Sequence, residues 1–190
     1  FKVALSVGVQ KMVRSDLSCS GIMFSLDTES GFKNVVLING SWGLGEMVVQ
    51  GAVTPDEFIV FKPTLNKKAK HSSLFKKQWY QPVISKKMGV KNKKMIYAQG
   101  ENPTKIVDTS TREQTQFVLT DKEILELASW AMEIEKHYSE KNNKWTPMDM
   151  EWAKDGKTGH LYIVQARPET IHAERDFSKM KEYQRIGTSK

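Results

Sequence analysis

The stretch from residue 148 to residue 170 reads MDMEWAKDGKTGHLYIVQARPET. Its two ends, 148–153 and 161–170, alternate between apolar and polar residues with the period of two that is typical of β-strands. The connection at 154–160 is rich in residues that form turns. The stretch therefore predicts a β-hairpin, and this hairpin is the centre of the predicted fold.

The register of the hairpin follows if the pairing is centred on the turn. Glu151 then lies opposite Gln165 and Asp149 lies opposite Arg167, and all four side chains share one face. The other face then carries the apolar residues Met150, Trp152, Tyr162 and Val164. A face with two carboxylates, a carboxamide and a guanidinium indicates a metal and a phosphate.

Coordination chemistry supports a magnesium site on this face. Mg²⁺ prefers oxygen ligands, usually takes one or two from protein, and leaves its other positions to water and nucleotide phosphates. Glu151 and Gln165 would suffice as ligands, while Arg167 could hold a phosphate oxygen or pair with Asp149. The alternative is an exposed hairpin face whose cross-strand ion pair contributes less than about 1 kcal/mol. Spacing alone does not decide between the two.

Length and composition predict a domain with a real hydrophobic core. The chain has 190 residues, of which 39% are hydrophobic. It begins at Phe1, with no charged leader and no apolar run long enough to cross a membrane. Cys19 is the single cysteine, so no intrachain disulfide can form, which fits a reducing compartment; we expect a small semi-buried residue rather than a nucleophile. These features predict a piece of a longer cytoplasmic protein with no membrane contact.

The net charge of +7 is concentrated in one lysine-rich segment. No acidic residue occurs between Phe58 and Gly100, and the lysines there are Lys62, Lys67, Lys68, Lys70, Lys76, Lys77, Lys86, Lys87, Lys91, Lys93 and Lys94. Such a segment could attract nucleic acid, but few aromatic residues are interleaved, arginine is absent and no nucleic-acid motif is present. The pattern favours a solvated basic excursion of sheet and loop, in which we expect no functional role, over a nucleic-acid-binding module.

The rest of the chain predicts a meander of strands and one long helix. Residues 9–13 are rich in β-branched residues and predict a strand, followed by strands at 20–27 and 34–39. Shorter strands are predicted at 57–62, 83–87, 93–97 and 105–109. Thr120 and Glu123 form a capping box, and a helix follows with one apolar face, Ile124, Leu127, Ala128, Ala131, Ile134 and Tyr138. The predicted class is α+β, with a mostly antiparallel sheet and at least one long packed helix.

A glycine-rich element, SWGLGEMVVQG, occupies residues 41–51. Gly43 and Gly45 allow the backbone to bend and to approach a ligand closely, and amide groups of a short helix after them would point at an anion. By itself this pair of glycines is weak evidence, because turns use glycine constantly.

Three blocks of sequence resemble the phosphoenolpyruvate synthase (pyruvate, water dikinase) family. They are SGIMFSLDTESGF at 20–32, GLGEMVVQGAVTPDEF at 43–58, and the hairpin motif DMEWA with YIVQARPET. The first block separates this family from the related pyruvate phosphate dikinases, whose segment usually carries Pro-x-Thr-Gly. The resemblance covers residues 1–170 and identifies them as the C-terminal part of an N-terminal ATP-grasp nucleotide-binding domain.

The resemblance implies a site for ATP and Mg²⁺. It carries Glu151 and Gln165 over as the metal ligands and places Asp149 and Arg167 beside the phosphates. Glu46 falls where the family has an acidic nucleotide-site residue, whose contact could be with the ribose or with the phosphates and metal.

The resemblance also implies that the segment before the sheet takes part in nucleotide binding. In ATP-grasp enzymes, a strand such as the one predicted at 9–13 links two subdomains, and its backbone meets the adenine edge. The resemblance implies this role for Gln10, Met12 and Val13, although the pattern alone fits a plain core strand equally well. Residues 171–190 are expected to be a linker or tail toward a further domain.

The whole enzyme of this family converts ATP, pyruvate and water into AMP, phosphoenolpyruvate and phosphate. It passes a phosphoryl group through a histidine on a swivelling domain to a pyruvate-binding barrel. The resemblance thus implies as partners an upstream half of the ATP-grasp domain, the phosphohistidine domain and the barrel, in a homodimeric enzyme. The alternatives are a related ATP-grasp phosphotransferase with another acceptor, and a basic nucleic-acid-binding module.

Overall fold

A six-stranded antiparallel sheet is the centre of the computed structural model, which describes residues 4, 6–65 and 81–170. Its strands are β1 (Cys19–Phe24), β2 (Val35–Trp42), β3 (Asp56–Phe61), β4 (Val83–Lys87), β7 (Met148–Lys154) and β8 (Leu161–Pro168), in the spatial order β4-β3-β2-β1-β7-β8. All neighbouring pairs are antiparallel. The predicted tail at 171–190 and the five lysines between 66 and 80 lie outside the described residues.

A two-stranded ribbon and four helices complete the described fold. The ribbon pairs β5 (Lys93–Tyr97) with β6 (Thr104–Asp108), and the helices are α1 (Glu46–Val49), α2 (Lys62–Leu65), α3 (Thr111–Gln114) and α4 (Asp121–Asn142). The predicted α+β class and the antiparallel sheet are confirmed. The sequence did not predict α2, α3 or the 3₁₀ turn at Ser15–Leu17, because such short elements carry too little periodicity.

Helix α4 covers one face of the sheet, as its apolar stripe predicts. Thr120 and Glu123 make both hydrogen bonds of the capping box at its start. Ile124, Leu127, Ala128 and Ala131 are completely buried against the sheet core, and Ile134 and Tyr138 pack at its margin. A helix covering one face leaves the opposite face available for a binding site.

The strand predicted at residues 9–13 does not form. Residues 6–13 have no regular secondary structure, and the side chains of Val9 and Met12 are 96% and 63% exposed. A strand requires backbone partners on a neighbouring strand, and among the described residues none pairs with this segment. The β-branched residues in this segment favour a strand, but the pairing with a neighbouring strand that would stabilise it is missing from the described residues.

A β-bulge in the hairpin changes which residues of β8 face the core. Glu151 pairs with Gln165, but Trp152 pairs with Ile163, so Val164 is an extra residue on β8. Ile163 therefore packs against the core cluster, while Tyr162 is 41% exposed. The prediction that Tyr162 shares the apolar face with Trp152 is wrong for this reason, whereas the predicted face of Val164, the extra residue, stays a prediction.

The thiol of Cys19 is more deeply buried than the sequence predicts. It is completely buried, its Sγ lies 3.4 Å from the carbonyl oxygen of Val118, and burial raises its pKa to about 12. Because the thiolate is the reactive form, we expect iodoacetamide to leave Cys19 unmodified in the folded protein at about pH 8, and to alkylate it once denaturant is added. Mass spectrometry of the peptide containing Cys19 measures this difference, and equal rates in both conditions would contradict it.

Among the helices that the structure describes, none combines the length and the apolar content needed to cross a membrane.

Candidate functional site

The hairpin β7–β8 brings the four predicted polar residues to one face of the sheet. Glu151 is the cross-strand partner of Gln165, and Asp149 is the cross-strand partner of Arg167. Partners on adjacent antiparallel strands project to the same side, with Cβ atoms about 5 Å apart. The predicted register is thus confirmed up to the bulge, which begins only after Glu151.

Arg167 takes one of the two roles that the sequence left open, because it pairs with Asp149. Its Nε and Nη2 donate to the same carboxylate oxygen at 2.8 and 2.7 Å. This hydrogen bond to Asp149 raises the pKa of Arg167 above its ordinary value. The side chain of Arg167 is nevertheless 66% exposed, so Asp149 orients a guanidinium that can also receive a phosphate oxygen.

The chemistry of Glu151 and Gln165 fits a hard divalent cation. Glu151 is half-buried and Gln165 is exposed, and they offer a carboxylate and a carboxamide oxygen. Within residues 4, 6–65 and 81–170, no group of three or more His, Cys, Asp or Glu side chains is arranged to hold a metal. Mg²⁺ does not require such a group, since it commonly takes two protein oxygens and completes its shell with water and phosphate.

The glycine turn and α1 lie on the same face as this pair. Ile22 is the cross-strand partner of Glu151, and Ile22 and Leu44 pack against the small cluster of Met47, Val48, Val53 and Met95. Ser20, on the same strand as Ile22, donates from its hydroxyl to the carbonyl oxygen of Gly43 at 2.7 Å. The turn and the hairpin pair therefore share one sheet face, and the prediction that they line a common cleft with Glu46 stays a prediction.

Glu46 begins α1 and is exposed. Its Oε1 accepts a hydrogen bond from Nε2 of Gln50, one turn later, at 2.7 Å. This contact joins the exposed carboxylate to a side chain of its own helix. A contact of Glu46 with a nucleotide stays a prediction.

The β5–β6 ribbon supports the glycine turn, although sequence reasoning expected no function there. The backbone amide of Leu44 donates to the carbonyl oxygen of Met95 at 2.9 Å. Lys94 of the same strand pairs with Glu113, whose carbonyl oxygen accepts from Nε1 of Trp42 at 2.7 Å. These contacts join residues far apart in the chain, so the local alternation at 93–97 could predict the strand but not its neighbours.

The segment that carries Gln10, Met12 and Val13 approaches the ribbon at its other end. Gln10 is exposed, but the hydroxyl of Tyr97 lies 2.8 Å from Sδ of Met12, and the guanidinium of Arg14 lies 5.6 Å from the centre of the Tyr97 ring. Of the three predicted residues, Met12 therefore contacts the ribbon that supports the glycine turn, and nucleotide contact by Gln10, Met12 and Val13 stays a prediction.

Arg14 also fixes this segment to the hairpin turn. Its side chain makes a two-pronged ion pair with Asp16, at 2.8 Å for each contact, and this hydrogen bonding lowers the pKa of Asp16. Its backbone amide donates to the carboxylate of Asp155 at 3.3 Å, and its carbonyl accepts from the amide of Gly156 at 3.0 Å. Sequence reasoning missed this anchor, whose only visible signal was the pair of opposite charges at Arg14 and Asp16.

Gly43 offers a test of the turn geometry. Its φ of +83° disfavours any side chain, and a Cβ at this position would clash with the carbonyl oxygen of Met95. We expect Gly43→Ala to lower the free energy of unfolding by more than the roughly 1 to 2 kcal/mol that a left-handed backbone alone costs, and to weaken nucleotide binding. Gly51→Ala is the matched control, because Gly51 has a φ of +66° but open space around it. Urea denaturation followed by tryptophan fluorescence compares the two, and equal destabilisation would contradict the expected clash.

The fold and the site define a class before any relative is considered. An antiparallel sheet has a long helix on one face, and on the other an acid–amide pair beside a glycine turn; this is the arrangement of an ATP-grasp-like subdomain. The sequence matches the family described as "Pyruvate phosphate dikinase, AMP/ATP-binding domain" over residues 1–187. The chain belongs to this family.

Its relatives include several proteins named phosphoenolpyruvate synthase. The chain is 55% identical over 183 residues to the phosphoenolpyruvate synthase of Aquifex aeolicus. The aligned region covers 96% of this chain and 20% of the relative. It is 53% identical over 185 residues to the protein of Synechocystis sp., and the aligned region covers 97% of this chain and 21% of the relative. It is 52% identical over 176 residues to the protein of Escherichia coli, with 90% of this chain and 20% of the relative covered. The chain thus spans about one fifth of the length of these relatives.

Proposed function

We propose that this chain supplies the Mg-ATP-binding face of a phosphoenolpyruvate synthase. The observation that carries the proposal is the paired register of Glu151 with Gln165 and of Asp149 with Arg167, on the sheet face that also bears the glycine turn. Oxygen ligands beside a guanidinium are what a metal-bound triphosphate requires. Membership of an AMP/ATP-binding family supports the nucleotide as the ligand.

Each residue then has a defined task. Glu151 and Gln165 hold Mg²⁺, which when bound neutralises charge on the nucleotide phosphates. Arg167, oriented by Asp149, donates to a phosphate oxygen. The ion pair with Asp149 limits the motion of the Arg167 guanidinium, so less side-chain entropy is lost when a phosphate binds.

The other predicted residues frame the nucleoside. The backbone of the Gln10–Val13 segment meets the adenine edge, and Met12 contributes an apolar contact from its position against Tyr97. Glu46 accepts from the ribose hydroxyls or faces the phosphates and metal.

The proposal extends to the whole protein of which this chain forms one part. That protein converts ATP, pyruvate and water into AMP, phosphoenolpyruvate and phosphate through a phosphohistidine on a further domain, with a separate barrel binding pyruvate. We place it in the cytoplasm as a homodimer, with residues 1–170 forming the C-terminal subdomain of the nucleotide-binding domain and residues 171–190 leading to the next domain. The name phosphoenolpyruvate synthase, which these relatives carry, supports the proposed activity of the whole protein.

Calorimetry on the full-length protein tests the proposal against the nucleic-acid alternative. We expect Mg-ATP to bind with a stoichiometry of about one per chain and with an affinity that falls when magnesium is chelated, because two ligands of the ion belong to the protein. A single-stranded oligonucleotide is titrated at two salt concentrations as the comparison. Oligonucleotide binding that weakens steeply with salt, together with no binding of Mg-ATP, would overturn the proposal.

A further inference from the structure

A buried ion pair anchors the β5–β6 ribbon to the large sheet. Lys91 lies two residues before β5, and Asp56 is the first residue of β3. Nζ of Lys91 donates to Oδ1 of Asp56 at 2.5 Å and to the carbonyl oxygen of Gly89 at 3.1 Å. Both charged side chains are 0% exposed. Buried charges of this kind persist only when they are paired and hydrogen-bonded.

Asp56 connects three parts of the chain through one carboxylate. Besides Lys91, its Oδ1 accepts from the backbone amide of Gly89 at 2.9 Å, and its Oδ2 accepts from the amide of Val118 at 2.9 Å. A side chain on Gly89 would clash with the backbone of Thr54 and Pro55, so the two segments pack closely. The start of β3, the approach to β5 and the segment that leads into α4 are therefore fixed at one point.

The strand that this pair anchors contacts two parts of the proposed nucleotide site. Met95 accepts the hydrogen bond from the Leu44 amide in the glycine turn, and Tyr97 contacts Met12 in the preceding segment. The side chain of Met95 also belongs to the cluster on which α1 packs. The short strand β5 thus sets the position of the glycine turn relative to the segment that is expected to meet the adenine.

We infer that Asp56 and Lys91 are positioning residues for nucleotide binding. Their pair fixes β5, and β5 in turn holds the glycine turn and the Gln10–Val13 segment in place. Neither charged group is exposed to a ligand, since both side chains are completely buried. This inference rests on the proposed function of the same site.

The test uses Lys91→Met in the full-length protein, with Lys62→Met as the matched control. Lys62 is also buried, and its Nζ also bonds a carboxylate, that of Glu135, and a backbone carbonyl, that of Ser25 at 2.5 Å. It follows the far end of β3, roughly 20 Å from Asp56 at 3.3 Å per residue. Both variants remove a buried lysine, but only Lys91→Met releases the ribbon.

Hydrogen exchange, read by mass spectrometry on peptides containing the Leu44 amide, is the first measurement. We expect Lys91→Met to speed exchange at Leu44 about fivefold, the change that corresponds to one net hydrogen bond, and to leave β7 amides unchanged. The dissociation constant for Mg-ATP should rise by a similar factor. Lys62→Met should change neither quantity.

A second variant, Asp56→Asn with Lys91→Met, removes both charges and so leaves neither one buried without its partner. It should show the same faster exchange at Leu44. If either folded variant exchanged the Leu44 amide at the wild-type rate, the inference would be overturned. An equal increase in the exchange rate in Lys62→Met would overturn it as well. Failure of both variants to fold would assign the pair a purely structural role and overturn it too. Failure of the wild-type protein to bind Mg-ATP would instead overturn the proposed function, while the exchange comparison keeps its meaning.

Discussion

Replacing Glu151 by glutamine in the full-length protein is expected to lower pyruvate-dependent AMP formation by about 10²- to 10³-fold, the usual loss when one preorganised electrostatic contact to the reacting groups is removed. Glutamine keeps an oxygen ligand and the size of the side chain but removes the negative charge that attracts Mg²⁺. The magnesium concentration for half-maximal activity should rise at the same time. Steady-state assays of AMP formation at several magnesium concentrations measure both effects.

Glu57→Gln is the matched control for this substitution. Glu57 is also half-buried, and it lies in the same cross-strand row as Glu151, which runs from Glu57 through Asn39 and Ile22. Three strand spacings of about 4.8 Å separate the two residues, roughly 14 Å in all. We expect Glu57→Gln to leave the magnesium dependence unchanged. A loss of activity in Glu151→Gln that excess magnesium does not affect, or an equal loss in both variants, would contradict the metal assignment.

The 190-residue chain on its own is expected to form no AMP from ATP and pyruvate and to bind Mg-ATP several orders of magnitude more weakly than the full-length protein. Phosphoryl transfer depends on positioning and on neutralising charge around the γ-phosphate. An ATP-grasp site encloses the nucleotide between two subdomains, and we expect this chain to supply one of them. Losing two or three charge-assisted hydrogen bonds, each worth about 1.5 to 3 kcal/mol, accounts for a weakening of this size.

Calorimetry and an AMP-formation assay compare this chain with the full-length protein. The control is a preparation of the chain carrying Glu151→Gln, which shows whether any residual activity comes from this site or from a contaminating host enzyme. Turnover by the wild-type chain that Glu151→Gln abolishes would show that the site is complete without a second subdomain.

The sequence alone predicted those elements that depend on residues only a few positions apart in the chain. The hairpin register follows from one turn and from strict alternation up to Glu151, so the pairing with Gln165 could be predicted. The start of α4 follows from the reciprocal bonds of Thr120 and Glu123, three residues apart. Strands β4 and β5 coincide with the predicted ranges for the same reason.

Only the tertiary structure decided the features that depend on distant partners. Residues 9–13 have the composition of a strand but no strand beside them, and the bulge at Val164 reverses which residues of β8 face α4. Asp56 stands in a motif that resembles the family, yet its role depends on Lys91, 35 residues later, and on Val118, 62 residues later. Propensity and periodicity report the surroundings of a residue within a few positions, whereas burial and ion pairing depend on which remote segments the folded chain brings together. The sequence alone therefore determined that Glu151 meets Gln165 and that Asp149 meets Arg167. The tertiary structure decided the pairing beyond the bulge and how the glycine turn and the segment before the sheet are held.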